Sequence, residues 1–192
     1  MMEIALVRHG ETEWNRLGKM QGHRDIPLNE RGVLQAERLA ERLASESWDG
    51  VYSSDLSRAA MTAERVARRA GVPSVRLDAR LRERHFGKLE GAATAKRPEA
   101  PGTAWPAYGA ESDDELFARA QSFLAELAGR GGGRFVVVTH GGWIRCVFRR
   151  LFPELAGVRP GNASVTMLAC RGGVWRCLFA NDTSHLPRDA MP

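Results

Sequence analysis

Two stretches decide the fold: "LVRHGETEWN" (residues 6–15) and "FVVVTHGGW" (residues 135–143). Each is a strand-length apolar run that stops at a His-Gly pair, His9-Gly10 in the first and His140-Gly141 in the second. Short, nearly continuous apolar runs mark strands buried on both faces, as in a parallel sheet covered by helices. A glycine directly after the histidine lets the chain turn away from the strand. Two strands are therefore expected to present a histidine at their ends.

Working outward, the same alternation fills the chain. Residues 3–7 read as the first strand. Asn29 suits the N-cap of a helix running to residue 45, with Val33, Ala36, Leu39, Ala40 and Leu43 on one face. Residues 50–53 form a second strand. Ser54 or Asp55 then caps a helix whose inner face carries Ala59, Thr62, Ala63, Val66 and Ala70, closed by Gly71 and Pro73. A third short strand covers residues 74–77. Ser112 and Glu115 match a capping box, opening a helix with Leu116, Ala120, Phe123 and Leu127 inward. The loop "GRGGG" leads to a strand over 134–139, and a helix over 142–152 is stopped by Pro153. Residues 165–170 and 174–180 form a hairpin around Gly172-Gly173. Between the third strand and Ser112, "GAATAKRPEAPGTAWPAYGA" (residues 91–110) has no sustained periodicity and three prolines, so it reads as a long excursion holding a short helix.

Strands alternating with helices imply an α/β protein: a three-layer α/β/α sandwich around a mostly parallel sheet, with one antiparallel pair late in the chain. In such sheets ligands bind beyond the carboxyl ends of the strands. His9 and His140 would then meet over one sheet edge, each near a helix N-terminus that favours an anion.

At 192 residues the chain is expected to be one domain over 1–192, large enough for a substantial core. No apolar run reaches membrane-spanning length, and no secretory signal is visible, so a cytoplasmic protein without a membrane partner is expected. The net charge of +5 raises the possibility of a nucleic-acid partner. However, all but Lys19, Lys88 and Lys96 of the 28 basic residues are arginines, scattered between acidic residues along helices such as "ERLAERLAS" and "ERVARRA". That pattern fits an anionic small molecule as well as a polynucleotide, and no nucleic-acid partner is expected. The oligomeric state is left open. Cys170 and Cys177 flank the Gly-Gly turn, where Cys170 would face Trp175 and Cys177 would face Leu168. As diagonal neighbours they, with Cys146, are expected to be reduced thiols.

The constellation suits phosphoryl chemistry. A transferring phosphoryl group spreads charge over three oxygens and needs fixed positive donors with a nucleophile in line. Arg8 adjoins His9, and Arg58 lies in the first turn of the helix after "VYSS". Guanidinium groups match phosphate oxygens better than an ammonium does. Asn15 adds a neutral donor. A neutral imidazole is a competent nucleophile, and nearby arginines would keep His9 unprotonated. His140 is expected to work in its other form, as a charged donor. The acid that protonates the leaving oxygen comes from Glu11, Glu83 or Glu90. Glu83, in "LRERHFGKLEG", follows the third strand toward the same edge and would need a raised pKa.

Six ordered blocks now carry a resemblance: "LVRHGETEWN", "QGHRDIPLNERGVLQA", "VYSSDLSRAAMTAE", "RERHFGKLEG", "VVVTHGGWIR" and "GNASVTML". Together they span nearly the whole chain, which resembles the histidine phosphatase superfamily, also called phosphoglycerate mutase-like. The resemblance implies that His9 becomes phosphorylated and that Arg8, Arg58 and His140 bind the phosphate, with Asn15 completing the pocket. It aligns Gln21 and Gly22 with a substrate-contacting loop and matches Glu83 to the proton donor of the mutase-like branch. Gly141 stands where the acid phosphatase branch has an Asp, which places the chain in the first branch. Phe86 replaces a mutase Tyr, Thr94 a mutase Lys, and the region between Glu83 and His140 lacks the longer mutase insert. With only Lys96 and Arg97 in the excursion, hydrolysis is favoured.

The expected activity is a phosphomonoester phosphatase acting on a small phosphorylated metabolite, without metal or cofactor. Arginines flanking His9, His140 and Glu83 would repel a cation. The close rival is a cofactor-dependent phosphoglycerate mutase, and the rival of another class is a non-catalytic phosphate-recognition module. His23, His85 and His185 are read as structural, Glu90 as holding a turn and Glu11 a helix N-terminus. The excursion around Trp105 and Tyr108 is expected to shape the substrate pocket.

Overall fold

A computed structural model describes residues 1–96 and 104–187. Along the chain run β1 (Met2–Arg8), α1 (Glu13–Arg16), α2 (Glu30–Leu43), β2 (Gly50–Ser53), α3 (Ser57–Ala70), β3 (Val75–Leu77), α4 (Asp113–Ala128), β4 (Gly133–Thr139), α5 (Gly141–Leu151), β5 (Val165–Arg171) and β6 (Val174–Asp182). The strands form one sheet in the order β3-β2-β4-β1-β5-β6. β3, β2, β4 and β1 are mutually parallel, whereas β5 runs antiparallel to both β1 and β6.

The apolar runs are continuous because both sheet faces are covered. Ile4, Leu6, Phe135 and Val137 enter a core built with Leu116, Phe123, Trp143 and Val147 of α4 and α5. Their neighbours Ala5, Val7, Val136 and Val138 point the other way, into a core with Leu39, Leu43, Ala63 and Val66 of α2 and α3. This is the expected three-layer sandwich. β1 and β4 lie in register, Arg8 opposite Thr139, so His9 and His140 leave the sheet side by side.

Most helix boundaries follow the capping signals. Asn29 accepts from the Gly32 N–H, Ser112 and Glu115 form the reciprocal box, and Gly71 closes α3 in a left-handed conformation at φ 71°. The start of α3 differs from expectation: Leu56 is its N-cap and makes no side-chain cap bond. Helix α2 ends at Leu43 rather than residue 45. In the hairpin Cys170 pairs with Trp175 and Cys177 with Leu168, and all three cysteines are free. Of the excursion, residues 97–103, and so Arg97, lie outside the described residues. Its flanks form short 3-10 turns at Thr94–Lys96 and Pro106–Tyr108. Trp105 packs with Met20, Phe86, Leu89 and Ala110 in a third, small cluster, while Tyr108 is exposed. Among the described residues, no helix is long and apolar enough to cross a membrane.

Candidate active site

A cavity of about 140 Å³ opens at the carboxyl edge of β1 and β4, and His9, Arg8, Asn15, Gln21, Arg58 and Glu83 all line it. Among the described residues, five cationic side chains, Arg8, Lys19, Arg58, Arg145 and Arg159, surround it, against the single carboxylate of Glu83.

His9 is buried, and its Nδ1 lies 2.6 Å from the Gly10 carbonyl oxygen. A carbonyl only accepts, so Nδ1 carries the proton and Nε2 keeps its lone pair for chemistry. The backbone is pinned as well: the Gly10 N–H donates to Thr62 Oγ at 3.1 Å, and Asn162 Nδ2 donates to the His9 carbonyl at 3.1 Å. Burial, then the positive fields of Arg58 and Arg8, hold the His9 pKa well below its ordinary value.

His140 is fully buried with its ring centroid 5.0 Å from that of His9, and it sits beside the cavity rather than in its wall. Its pKa is likewise held well below the ordinary value, by burial first and then by Arg58 and His9. Against the expectation of a charged His140, burial among guanidinium groups favours the neutral ring, because a cation there would be desolvated. Nε2 lies 2.9 Å from Ser54 Oγ, and Nδ1 is buried without a hydrogen-bond partner among the described residues.

Arg58 is completely buried in the first turn of α3. Its Nη1 and Nη2 donate to the carbonyls of Arg24 and Gly22 at 2.9 and 2.8 Å, while its buried Nε–H has no partner among the described residues. Burial lowers its pKa to about 10, which still leaves it charged at neutral pH. Gly22 therefore anchors Arg58 through its carbonyl and is not part of the cavity wall. Its φ of 56° and the closeness of Glu90, 2.2 Å from where a Cβ would stand, require glycine. Arg8 donates from Nη1 to the Pro160 carbonyl at 2.8 Å. Asn15 Oδ1 accepts from the Thr12 N–H and from Asn162, so its amide nitrogen is the end left for a ligand. Gln21 Oε1 accepts from the Thr12 hydroxyl at 2.8 Å.

Glu83 is buried at the start of α5, its Oε2 accepting from the Gly142 N–H at 2.9 Å and its Oε1 from the Arg84 N–H at 2.8 Å. The segment carrying it is tied down from behind. Arg119 donates to the carbonyls of Arg80, Arg82 and Glu83, Thr139 Oγ to Leu81, Trp143 Nε1 to Arg80, and His23 Nε2 to Glu83. The other two acid candidates do different work. Glu11 accepts from Asn29 at the start of α2, and Glu90 accepts from the His23 and Phe86 amides. Phe86 and Thr94 line the cavity, with the Trp105 ring packed against Phe86 at 5.6 Å between centroids and tilted by 41°.

Sequence reasoning did not single out Ser54, Asn162, Arg119 and Thr62 as supports of the site. Asn162 and Ser54 lie inside quoted blocks, but nothing in their residue type reveals a contact across 153 or 86 positions.

The family profile described as "Histidine phosphatase superfamily (branch 1)" matches residues 4–183. The chain is 40% identical over 199 residues to "Phosphoglycerate mutase-like protein 4" of Arabidopsis thaliana, covering 96% of this chain and 86% of that protein. It is 39% identical over 197 residues to "Metal-independent phosphoserine phosphatase" of the same plant, covering 96% and 83%. A solved mycobacterial glucosyl-3-phosphoglycerate phosphatase superposes with a TM-score of 0.85 at 32% identity, covering 95% of this chain and all of that one. This chain belongs to branch 1 of the histidine phosphatase superfamily.

Proposed function

We propose that this protein is a metal-independent phosphomonoester phosphatase working through a phosphohistidine at His9. The observation that carries the reading is a pair of buried nitrogens without partners among the described residues, Arg58 Nε and His140 Nδ1, beside the His9 imidazole whose Nδ1 is already engaged. Buried polar groups are nearly always hydrogen-bonded, and unpartnered ones at a cavity fit a ligand that supplies acceptors. A phosphoryl group supplies three.

In the first step His9 Nε2 attacks phosphorus and the bond to the ester oxygen breaks. This step requires the acid form of Glu83, whose proton passes to that oxygen as the alcohol leaves. In the second step the Glu83 carboxylate takes a proton from water, the water oxygen attacks phosphorus and the N–P bond breaks. Orthophosphate departs, leaving His9 neutral and Glu83 protonated, ready for the next substrate. Arg8, Arg58, Asn15 and the neutral His140 hold the phosphoryl oxygens throughout.

Lys19, Arg145 and Arg159 line the same cavity and add charge beyond that cradle. They favour a phosphate ester carrying a second anionic group. Relatives named for phosphoserine and glucosyl-3-phosphoglycerate act on esters of that kind, each with a carboxylate. The alternative is a phosphoglycerate mutase, for which the mutase-like relative speaks. One assay separates the readings: purified protein with chelator is given phosphoserine, phosphoethanolamine, 3-phosphoglycerate and glycerol 3-phosphate. The proposal expects release of inorganic phosphate, faster from the two carboxylate-bearing esters. Formation of 2-phosphoglycerate without phosphate release supports the mutase, and no turnover on a wider panel supports a recognition module.

A further inference from the structure

The two ring nitrogens of His140 stand in different surroundings, and Ser54 is the difference. Ser54, fully buried at the end of β2, places Oγ 2.9 Å from Nε2 and also accepts from the Leu56 N–H at 3.2 Å. Nδ1 is buried with no partner among the described residues. Proton positions follow from donor and acceptor accounting. A hydroxyl has one hydrogen to give and two lone pairs to offer, and a neutral imidazole has one of each. If Ser54 donates to Nε2, its lone pair meets Leu56 and the one group left over is the Nδ1–H. If Nε2–H donates to Ser54 instead, the serine hydrogen and the bare Nδ1 are both stranded in a buried site. Each stranded group carries a desolvation penalty, so the first arrangement wins.

We infer that Ser54 is a positioning residue that fixes His140 as its Nδ1–H tautomer, so that a neutral ring beside His9 still offers a proton to the phosphoryl oxygens. The purpose of this device rests on the phosphatase reading above; the tautomer does not. Ser54 or Asp55 was expected to cap α3. Ser54 does bond Leu56, but its hydroxyl hydrogen is left for His140, 86 positions away. A neutral donor suits this site better than a cation would, since the surrounding groups Arg58, Arg8 and Arg119 are already positive.

The test is ¹⁵N correlation spectroscopy of the histidine side chains in the intact protein at neutral pH, with Ser54→Ala and Ser54→Thr alongside. The wild-type His140 should show a protonated, pyrrole-like Nδ1 and an unprotonated Nε2. Ser54→Ala should move the ring toward the Nε2–H form and lower kcat roughly 10- to 100-fold, less than the ~100- to 1000-fold that follows loss of a whole oxyanion donor. KM should change far less, because the missing contact strengthens in the transition state. Ser54→Thr keeps the hydroxyl and should restore both readouts. A wild-type spectrum with Nε2 protonated overturns the inference, even if Ser54→Ala fails to fold. So does a folded Ser54→Ala protein with unchanged tautomer and kcat. An inactive wild type with the stated tautomer would instead refute the phosphatase reading.

Discussion

His9 and Glu83 are both held by backbone groups: the Gly10 carbonyl fixes the reactive nitrogen of one, and the Gly142 amide holds the carboxylate of the other. At Gly142 an added Cβ would stand 2.2 Å from Glu83 Oε1. That oxygen ends a flexible side chain, so it can move aside at little cost to the fold but at a large cost to its aim. Gly142→Ala is therefore expected to lower kcat more than about tenfold while shifting Tm by only a degree or two, read by steady-state kinetics and thermal melts. Glu83→Gln keeps the shape and removes the proton; kcat should fall by about 10²- to 10⁴-fold. Near-normal rates would return the acid role to another group. At this scale the sequence announces the chemistry-bearing residues, because histidines and arginines at strand ends have few other uses. It does not announce the charge on His140, which depends on burial and on arginines distant in sequence.

Elements meet here through close backbone contacts as much as through side chains. The turn after β1 passes the first turn of α2 so closely that a Cβ on Gly32 would lie 2.0 Å from the Glu11 carbonyl oxygen, and one on Gly10 would lie 2.5 Å from the Gly32 carbonyl oxygen. Backbone atoms cannot swing away as a carboxylate can. Gly32→Ala should cost about 2–4 kcal/mol in urea unfolding, near the upper end for point substitutions, and a cost under ~0.5 kcal/mol would refute this packing account. Ser112→Ala, which opens the capping box of α4, should cost only about 1 kcal/mol. Helices with strong caps were readable from the sequence, as Asn29, Gly71 and Ser112 illustrate. The start of α3 was not, since Ser54 and Asp55 each suit an N-cap locally, yet the first is drawn to His140 and the second accepts from Arg82. The excursion was equally opaque, because Trp105 finds Phe86 and Arg84 only after the chain has folded.

For the molecule as a whole, two neutral imidazoles buried among arginines make stability depend on pH. Burial, aided by Arg58, lowers the folded-state pKa of both His9 and His140 below the unfolded value near 6.5. Below that value the unfolded chain binds protons that the folded chain refuses, so stability falls as pH drops from about 6.5 toward the lower folded values. Urea unfolding should therefore give a lower stability at about pH 5.5 than at about pH 7.5, and His9→Gln should make that slope shallower; an unchanged slope would contradict the assignment. The layered architecture was readable from strand and helix alternation. The strand order was not, because it rests on β1 pairing with β4 and β5, more than a hundred residues away. The central claim remains covalent and local, and rapid-quench labelling with a ³²P-phosphate ester tests it most directly. The account predicts label on His9 that survives alkali, is lost in acid and is absent from a His9→Ala protein that no longer turns over. Undiminished hydrolysis by His9→Ala, or label on any other residue, would contradict it.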